Sequence, residues 1–180
     1  SLMDLHKEIF GEEDNIGRKK KNVDNGNQFN IDEILQAQPK PKLSQEEILD
    51  RLRALIDEKK LTRDILQRIR ATPIVDSNHQ LFGYLGFPIS DGKYVARKFI
   101  PEVGGNKWLN SNGDKPPLFI VDNTSPDIIL VEGMFDATAL MTLGYNNVAV
   151  NGGGNTGITS ARFYPLRGKV VYILLDNDYT

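Results

Sequence analysis

Three acidic residues follow apolar stretches of the chain, and they are the side chains best placed to do chemistry. Glu132 follows the run 127–131, and Asp176 and Asp178 follow the run 169–175. Uninterrupted aliphatic runs of this kind are typical of strands buried on both faces of a parallel sheet, whose carboxyl ends form the binding edge. Because three converging carboxylates repel one another and offer hard oxygen ligands, the pattern predicts a Mg²⁺ or Mn²⁺ site at that edge.

The elements that must position these acids alternate between strand and helix. The pattern predicts a helix over 134–143 that ends at Gly144, a strand over 147–150, a short helix over 159–166 and a strand over 170–175. This βαβα order implies a parallel sheet with right-handed crossovers. The predicted fold class is therefore α/β, with a parallel sheet flanked by helices.

Upstream of this sheet the chain predicts a small helical and strand-rich α+β subdomain. Ser44 opens a capping box ahead of apolar residues at helical spacing, and Thr62 caps a further helix. Strands separated by turns follow, and the first two flank a hairpin turn at 90–92. These predicted strands cover residues 81–87, 93–100, 107–110 and 118–121.

Length and composition fit an ordinary soluble protein. The 180 residues are 39% hydrophobic, carry a net charge of -2 and include no cysteine, which excludes disulfides and thiolate zinc sites within this chain. No apolar stretch approaches the roughly 20 residues of a membrane span, and we expect a cytoplasmic protein. We expect the polar residues 1–43, with a short helix predicted over 30–37, to form a largely flexible linker before a subdomain at 44–121 and a sheet domain at 122–180.

The strand-rich segment carries an excess of cations. Between positions 93 and 115 there are five basic residues and two acidic ones. Because cations bind phosphates and aromatic rings stack on bases, this pattern favours a surface for single-stranded nucleic acid. A half-buried sheet with an ordinary charged outer face has the same composition, and this alternative stays open. The candidate nucleic-acid-binding residues are Lys93, Arg97, Lys98, Lys107, Trp108 and Asn110.

A glycine-rich segment after the second strand of the alternating part has two interpretations. Residues 152–157 fit the spacing G-x-G-x-x-G, and Asp176 follows at the distance of a ribose-binding acid. Against a dinucleotide site, the next helix is short and contains Pro165, and the other two acids would have no role. The same glycines, Gly153 among them, either let backbone amides approach a phosphate or form a flexible loop.

The acidic motifs resemble the signature of Toprim domains, in which a Glu-Gly strand end is paired with an Asp-x-Asp strand end. Here these are Glu-Gly-Met-Phe-Asp at 132–136 and Asp-Asn-Asp at 176–178. The aspartate at position 136 is similar to the form of the motif in bacterial-type DNA primases. Upstream, Lys-Trp-Leu-Asn-Ser at 107–111 and Pro-Leu-Phe at 117–119 resemble elements of the primase catalytic core. The resemblance covers roughly residues 45–180 and is stronger to phage or mobile-element primases than to chromosomal ones.

The resemblance implies a DNA primase core that makes short RNA primers on a single-stranded DNA template from ribonucleoside triphosphates. It implies catalytic and metal-binding roles for Glu132, Asp176 and Asp178, with a role as general acid or base left open for Glu132. A replicative helicase is a further expected partner. Supporting roles are expected for Gly133, Asp136 and Gly153.

Two departures from the Toprim pattern qualify what the resemblance implies. Asn177 stands between the two aspartates, where the family usually has a small, glycine-type residue. A Toprim domain also normally continues into another helix and strand, so we expect a fragment that folds but has little or no primer synthesis by itself. Two alternatives stay open, a Toprim nuclease or topoisomerase-like enzyme and a non-catalytic nucleic-acid-binding module of a primase–helicase.

Overall fold

The computed structural model of the chain describes residues 40–90, 93–110, 118–152 and 160–175. These ranges contain four α-helices, one 3-10 helix and eight strands, arranged in two four-stranded sheets. None of the described helices is long and apolar enough to cross a membrane. The helix expected over 30–37 lies outside the described residues.

Two capped helices precede the first sheet, as the sequence predicts. Helix α1 spans Gln45–Glu58, and its capping box is complete because Ser44 Oγ accepts from the Glu47 amide at 3.2 Å while Glu47 Oε2 accepts from the Ser44 amide at 2.7 Å. Helix α2 spans Arg63–Arg68 and begins where Thr62 Oγ1 accepts from an amide of the first turn. Both helices bury one apolar face, formed by Ile48, Leu52, Leu55, Ile65 and Leu66.

The first sheet is antiparallel throughout, in the order β1-β2-β3-β4. Its strands are Thr72–Ile74, Tyr84–Ser90, Lys93–Lys98 and Trp108–Asn110. The predicted hairpin strands are confirmed, although β2 begins at position 84 because 81–83 form a turn. Gly83 makes that turn with a φ of +83°, where a Cβ would lie 2.9 Å from Ile100 Cβ.

The second sheet has the order β5-β7-β6-β8. Its strands are Phe119–Ile120 (β5), Asp127–Val131 (β6), Val148–Val150 (β7) and Val170–Leu174 (β8). Strand β6 runs parallel to β7 and β8, which confirms the predicted α/β fold with a parallel sheet. Strand β5 adds an antiparallel edge to β7, although the predicted domain boundary assigned its residues to the segment 44–121.

Helices connect the strands of the second sheet, as expected for crossovers. Helix α3 spans Met134–Thr142 and is followed by Gly144, whose φ is +92°. Helix α4 spans Ser160–Phe163 and continues into a 3-10 helix over Tyr164–Leu166. The predicted helix positions are confirmed within the described residues.

Burial on both faces, predicted for the runs 127–131 and 169–175, is confirmed for most of β6 and is wrong for β8. In β6, Ile128, Leu130 and Val131 are buried, whereas Tyr172 and Ile173 of β8 are 56% and 65% exposed. Strand β8 lies at the edge of the sheet with one strand neighbour in the described structure, and of its five side chains only Val171 is partly buried, against the smaller apolar cluster. An apolar run therefore marks the strand here without ensuring its burial.

A shared core joins the two sheets. The larger apolar cluster includes residues of α1, α2, the first sheet, α3 and β7, and a smaller cluster lies around Ile128, Leu130 and Leu166. At the junction, the ring of Trp108 lies 6.1 Å from that of Phe87 and 5.3 Å from that of Phe135. The first sheet therefore packs against the beginning of α3.

Candidate functional site

A cavity of about 610 Å³ lies where the first sheet meets the carboxyl ends of β6 and β7. Its lining combines residues of several motifs that are far apart in the sequence. The predicted residues Lys107, Trp108 and Asn110 of the β4 region border the same cavity as Glu132, Gly133 and Asp136. Its polar and charged side chains are Lys59, Lys107, Asn110, Glu132, Asp136 and Arg162.

Glu132 lies directly after β6, at the predicted carboxyl end of a parallel strand. It is half-buried, and its main-chain oxygen accepts from the Gly152 amide at 2.9 Å. One residue earlier, the Val131 oxygen accepts from the Asn151 amide at 2.8 Å. The pairing of β6 with β7 thus continues past both strands and fixes the main chain of Glu132 at the cavity.

The glycine and the aspartate of the glutamate motif form the beginning of α3. Asp136 Oδ2 accepts from the Gly133 amide at 2.8 Å, which satisfies a donor that the helix leaves unpaired. A Cβ at Gly133 would lie 2.9 Å from the same oxygen. Glycine is therefore needed for the carboxylate to approach, and the spacing Gly-x-x-Asp directs the chain from Glu132 into the helix.

Two cations that the sequence analysis did not select also border the cavity. Lys59, just after α1, has its Nζ 2.8 Å from Glu58 Oε1 and 5.4 Å from the centre of the Phe135 ring. Arg162, in α4, donates from Nη1 to Asn151 Oδ1 at 2.7 Å, and burial lowers the pKa of its guanidinium. The position of Arg162 just after the glycine-rich segment 152–157 could have indicated that it borders the site, whereas no motif in the sequence surrounds Lys59.

The other three predicted nucleic-acid-binding residues do not border the cavity. Lys98 Nζ donates to the main-chain oxygens of Val103, at 2.8 Å, and Gly105. Arg97 lies on the cavity side of β3, with its guanidinium 5.8 Å from the Trp108 ring and Nη1 donating to the Lys98 oxygen at 2.7 Å. Lys93 is half-buried at the start of the same strand. Contact of these three with a nucleic acid stays a prediction.

Trp108 both packs and borders the cavity. It is half-buried, and it contacts Phe87 and Phe135 through tilted ring pairs. It thus belongs to the junction between the two sheets while part of its surface remains accessible from the cavity. Packing and ligand contact are compatible for this side chain.

Of the three acids of the predicted metal site, Glu132 borders the cavity. Asp176, Asp178 and Gly153 lie outside the described residues, so the convergence of the three acids stays a prediction. Within the described ranges, no group of three His, Cys, Asp or Glu side chains is placed to hold a metal ion. Glu132 and Asp136 nevertheless supply two carboxylates to one cavity, and Mg²⁺ is commonly held by one or two carboxylates together with substrate phosphates.

Solved structures with a similar fold are catalytic cores of DnaG primases. The chain matches a DnaG primase catalytic domain bound to ssDNA with a TM-score of 0.56 and 16% identity, over 75% of this chain and 56% of that one. It matches a DnaG catalytic core with a TM-score of 0.54 and 16% identity, over 80% and 57%. It matches the E. coli primase catalytic core with a TM-score of 0.53 and 15% identity, also over 80% and 57%.

These matches confirm the fold that the sequence resemblance implies. The described chain has the mixed α/β fold of a primase catalytic core. It spans just over half the length of each of these solved chains. Neither a family model nor a curated protein sequence matches it.

Proposed function

We propose that this chain is part of the catalytic core of a primase-type nucleotidyltransferase, which synthesises short RNA primers on single-stranded DNA. The observation that carries the proposal is the meeting of two motifs in one cavity. Trp108 and Asn110 lie in β4 with Lys107 just before it, and the glutamate motif follows the end of β6. They border the same cavity in a chain whose fold resembles primase catalytic cores.

The charge and shape of the cavity support binding of a nucleotide or a nucleic-acid strand. Its volume of about 610 Å³ lies in the range of small-molecule sites. Lys59 and Lys107, from separate parts of the chain, border it and are suited to phosphate groups. The rings of Trp108 and Phe135 offer apolar surface to a base. One of the matched primase structures is described as bound to ssDNA.

The carboxylates are assigned the metal-binding role in this proposal. Glu132, Asp176 and Asp178 would hold Mg²⁺ or Mn²⁺, which would neutralise charge on the triphosphate and help activate the primer 3′-hydroxyl. The chain's own contribution is to keep Glu132 at the strand end through the Gly152 amide and to hold phosphates with Lys107. A role of Glu132 as general acid or base is the alternative within the same proposal.

The direct test is primer synthesis by the full-length protein on single-stranded template with ribonucleotides and Mg²⁺. We expect Glu132→Gln and Asp176→Asn to lower the rate by roughly a hundredfold or more. Glu46→Gln is the matched control, since Glu46 is exposed in the first turn of α1 and does not border the cavity. Cleavage of the template without synthesis would indicate a nuclease, and binding without either reaction would indicate a binding module.

Template binding has a built-in probe, because Trp108 is the single tryptophan of the chain. A single-stranded oligonucleotide that enters the cavity changes the surroundings of the indole, so its emission is expected to shift or to be quenched. Binding is measured in parallel by the anisotropy of a labelled oligonucleotide. Emission that stays constant while the oligonucleotide binds would place the strand away from Trp108.

A further inference from the structure

Arg162 holds the end of β7 by two hydrogen bonds to a single residue. Its Nη1 donates to Asn151 Oδ1 at 2.7 Å, and its Nη2 donates to the main-chain oxygen of Asn151. Asn151 is only 2% exposed, and its own amide donates to the Val131 oxygen at 2.8 Å. The polar groups of a buried asparagine need hydrogen-bond partners, since an unsatisfied polar group in the interior is costly. Arg162 thus satisfies the side-chain and main-chain oxygens of the residue that follows β7.

The same arginine reaches the main chain beside Glu132. Gly152 follows Asn151 with a φ of +73°, and a Cβ there would lie 3.6 Å from Arg162 Nη2, so the guanidinium packs against this glycine. The Gly152 amide donates to the Glu132 oxygen at 2.9 Å. A displacement of Asn151 is therefore passed through one peptide to the residue that carries the candidate catalytic carboxylate.

Arg162 is itself held in place by packing. Helix α4 has only four residues, Ser160–Phe163, and it is anchored where Phe163 packs on the apolar cluster that includes Leu166. The planar fork of an arginine can donate to the side-chain and main-chain oxygens of one residue at the same time, whereas a lysine ammonium acts as a point charge. The geometry of the contact, more than its charge, distinguishes Arg162 from a general phosphate-binding cation.

We propose that Arg162 is a positioning residue that sets the main chain of Glu132 through Asn151 and Gly152. The inference deepens the proposed function and rests on it where it concerns catalysis, since Glu132 is catalytic only in that proposal. The claim that Arg162 sets the main chain does not depend on the proposed function, because the hydrogen bonds that link Arg162 to the Glu132 oxygen are part of the fold.

The first experiment measures amide hydrogen exchange at Gly152 in the wild-type chain and in Arg162→Gln and Arg162→Lys. Loss of the charged hydrogen bonds is expected to speed exchange at Gly152 by about tenfold or more in both variants. Arg167→Gln, which changes an exposed arginine five residues along the chain, is the matched control and should leave that exchange unchanged. If Gln unfolds the chain, the Lys variant decides the outcome. Unchanged protection at Gly152 in a folded variant overturns the proposal.

The second experiment uses primer synthesis by the full-length protein. Positioning predicts that Arg162→Lys lowers kcat about as much as Arg162→Gln, with the KM for nucleotide little changed. It also predicts that Arg162→Gln adds little to the loss already caused by Glu132→Gln, because the two act through one group. A lysine that restores activity, or an effect confined to KM, would assign Arg162 to direct phosphate binding and overturn the positioning role.

The two experiments separate the failure of this inference from failure of the proposed function. A wild-type protein without primer synthesis contradicts the proposed function, while the exchange at Gly152 still decides whether Arg162 positions the main chain. An active wild-type protein whose Gly152 exchange ignores Arg162→Gln and Arg162→Lys contradicts the positioning role alone.

Discussion

At the scale of single residues, the motif at 132–136 places a helix cap directly after Glu132. The Asp136 carboxylate accepts a hydrogen bond of 2.8 Å from the Gly133 amide at the beginning of α3. A carboxylate at that end of a helix also interacts favourably with the helix dipole. Asp136 therefore stabilises the beginning of α3 next to Glu132. Substitutions that keep or remove its acceptor oxygen separate this stabilisation from any effect of its charge on catalysis.

Asp136→Ala is expected to lower the free energy of unfolding by about 1 kcal/mol, the usual loss when an N-terminal helix cap is removed. Asp136→Asn keeps an acceptor oxygen and should cost roughly half as much or less. Gly133→Ala should also destabilise the chain, because its Cβ would lie 2.9 Å from the Asp136 carboxylate. Chemical denaturation measures all three. Asp64→Ala, in the exposed first turn of α2, is the control, and equal losses for Asp136→Ala and Asp64→Ala would contradict the cap.

Lys107 directly precedes β4, borders the cavity and is exposed. Lys107→Ala is expected to weaken binding of single-stranded DNA and to lower the slope of log affinity against log salt by about 0.7, the value for one phosphate contact. Lys42→Ala is the control, since Lys42 is exposed and does not border the cavity. If both variants keep the wild-type slope, the cationic segment is an ordinary solvated surface.

At the scale of elements, the loop between β3 and β4 determines how the Lys107–Asn110 segment reaches the cavity. Tyr84 of β2 donates its hydroxyl to the Asn106 oxygen at 2.8 Å, and Lys98 donates to the Val103 oxygen at 2.8 Å. Both side chains thereby tie the loop to the first sheet. Lys98, one of the cations predicted to bind nucleic acid, has this structural role in the fold.

The Tyr84 contact predicts a loss of stability at alkaline pH. Burial raises the pKa of the Tyr84 hydroxyl from 10.0 to about 12. Between these values the folded state holds a proton that the unfolded state has released, so stability falls as pH rises from about 10 to about 12. Tyr84→Phe should cost about 1 kcal/mol at neutral pH through its lost hydrogen bonds.

The measurement is denaturant unfolding of the wild-type chain and of Tyr84→Phe between pH 8 and pH 12. The stability advantage of the wild-type chain should shrink across the upper half of this range, because only the wild type loses the tyrosine contribution. Burial lowers the pKa of Lys98, which acts in the opposite direction, but Lys98 is present in both proteins. A constant difference between the two proteins at all pH values would contradict the assignment.

At the scale of the whole molecule, the second sheet has a fully buried inner strand, β7, and an edge strand with exposed side chains, β8. Strand β8 shows apolar side chains on both of its faces, including Tyr172, Ile173 and Leu174. Exposed apolar edge strands are templates for pairing with another chain. We therefore expect the chain to self-associate through β8 as its concentration rises.

Ile173→Lys tests this expectation, because an inserted charge is a common protection of edge strands. Sedimentation velocity should show the wild-type chain associating with concentration and the variant remaining closer to a monomer. Leu143→Lys is the matched control, since Leu143 is exposed at the end of α3, away from β8 in the chain. A wild-type chain that is monomeric throughout, or equal effects of both variants, would show that β8 is not the contact.

The features that the sequence alone determined are those encoded by neighbouring residues. The capping box at Ser44, the cap at Thr62 and the glycine after α3 each act within one or two turns of a helix, and all three are found where the sequence predicts them. The alternation of strand and helix after position 127 likewise implied the parallel pairing of β6 with β7 and β8.

Tertiary structure decided which side chains meet and which strand face stays uncovered. Lys59 and Arg162 are 103 positions apart and border one cavity because separate elements pack around it. Lys98 and Lys107 are both lysines of the same cationic segment, yet Lys98 donates to main-chain oxygens of a loop and Lys107 borders the cavity. Strand β8 carries an apolar run like that of β6, but little of the described structure packs on it, and most of its side chains are exposed. Local hydrogen bonds and periodicity depend on neighbours in the chain, whereas burial and convergence depend on packing between distant segments.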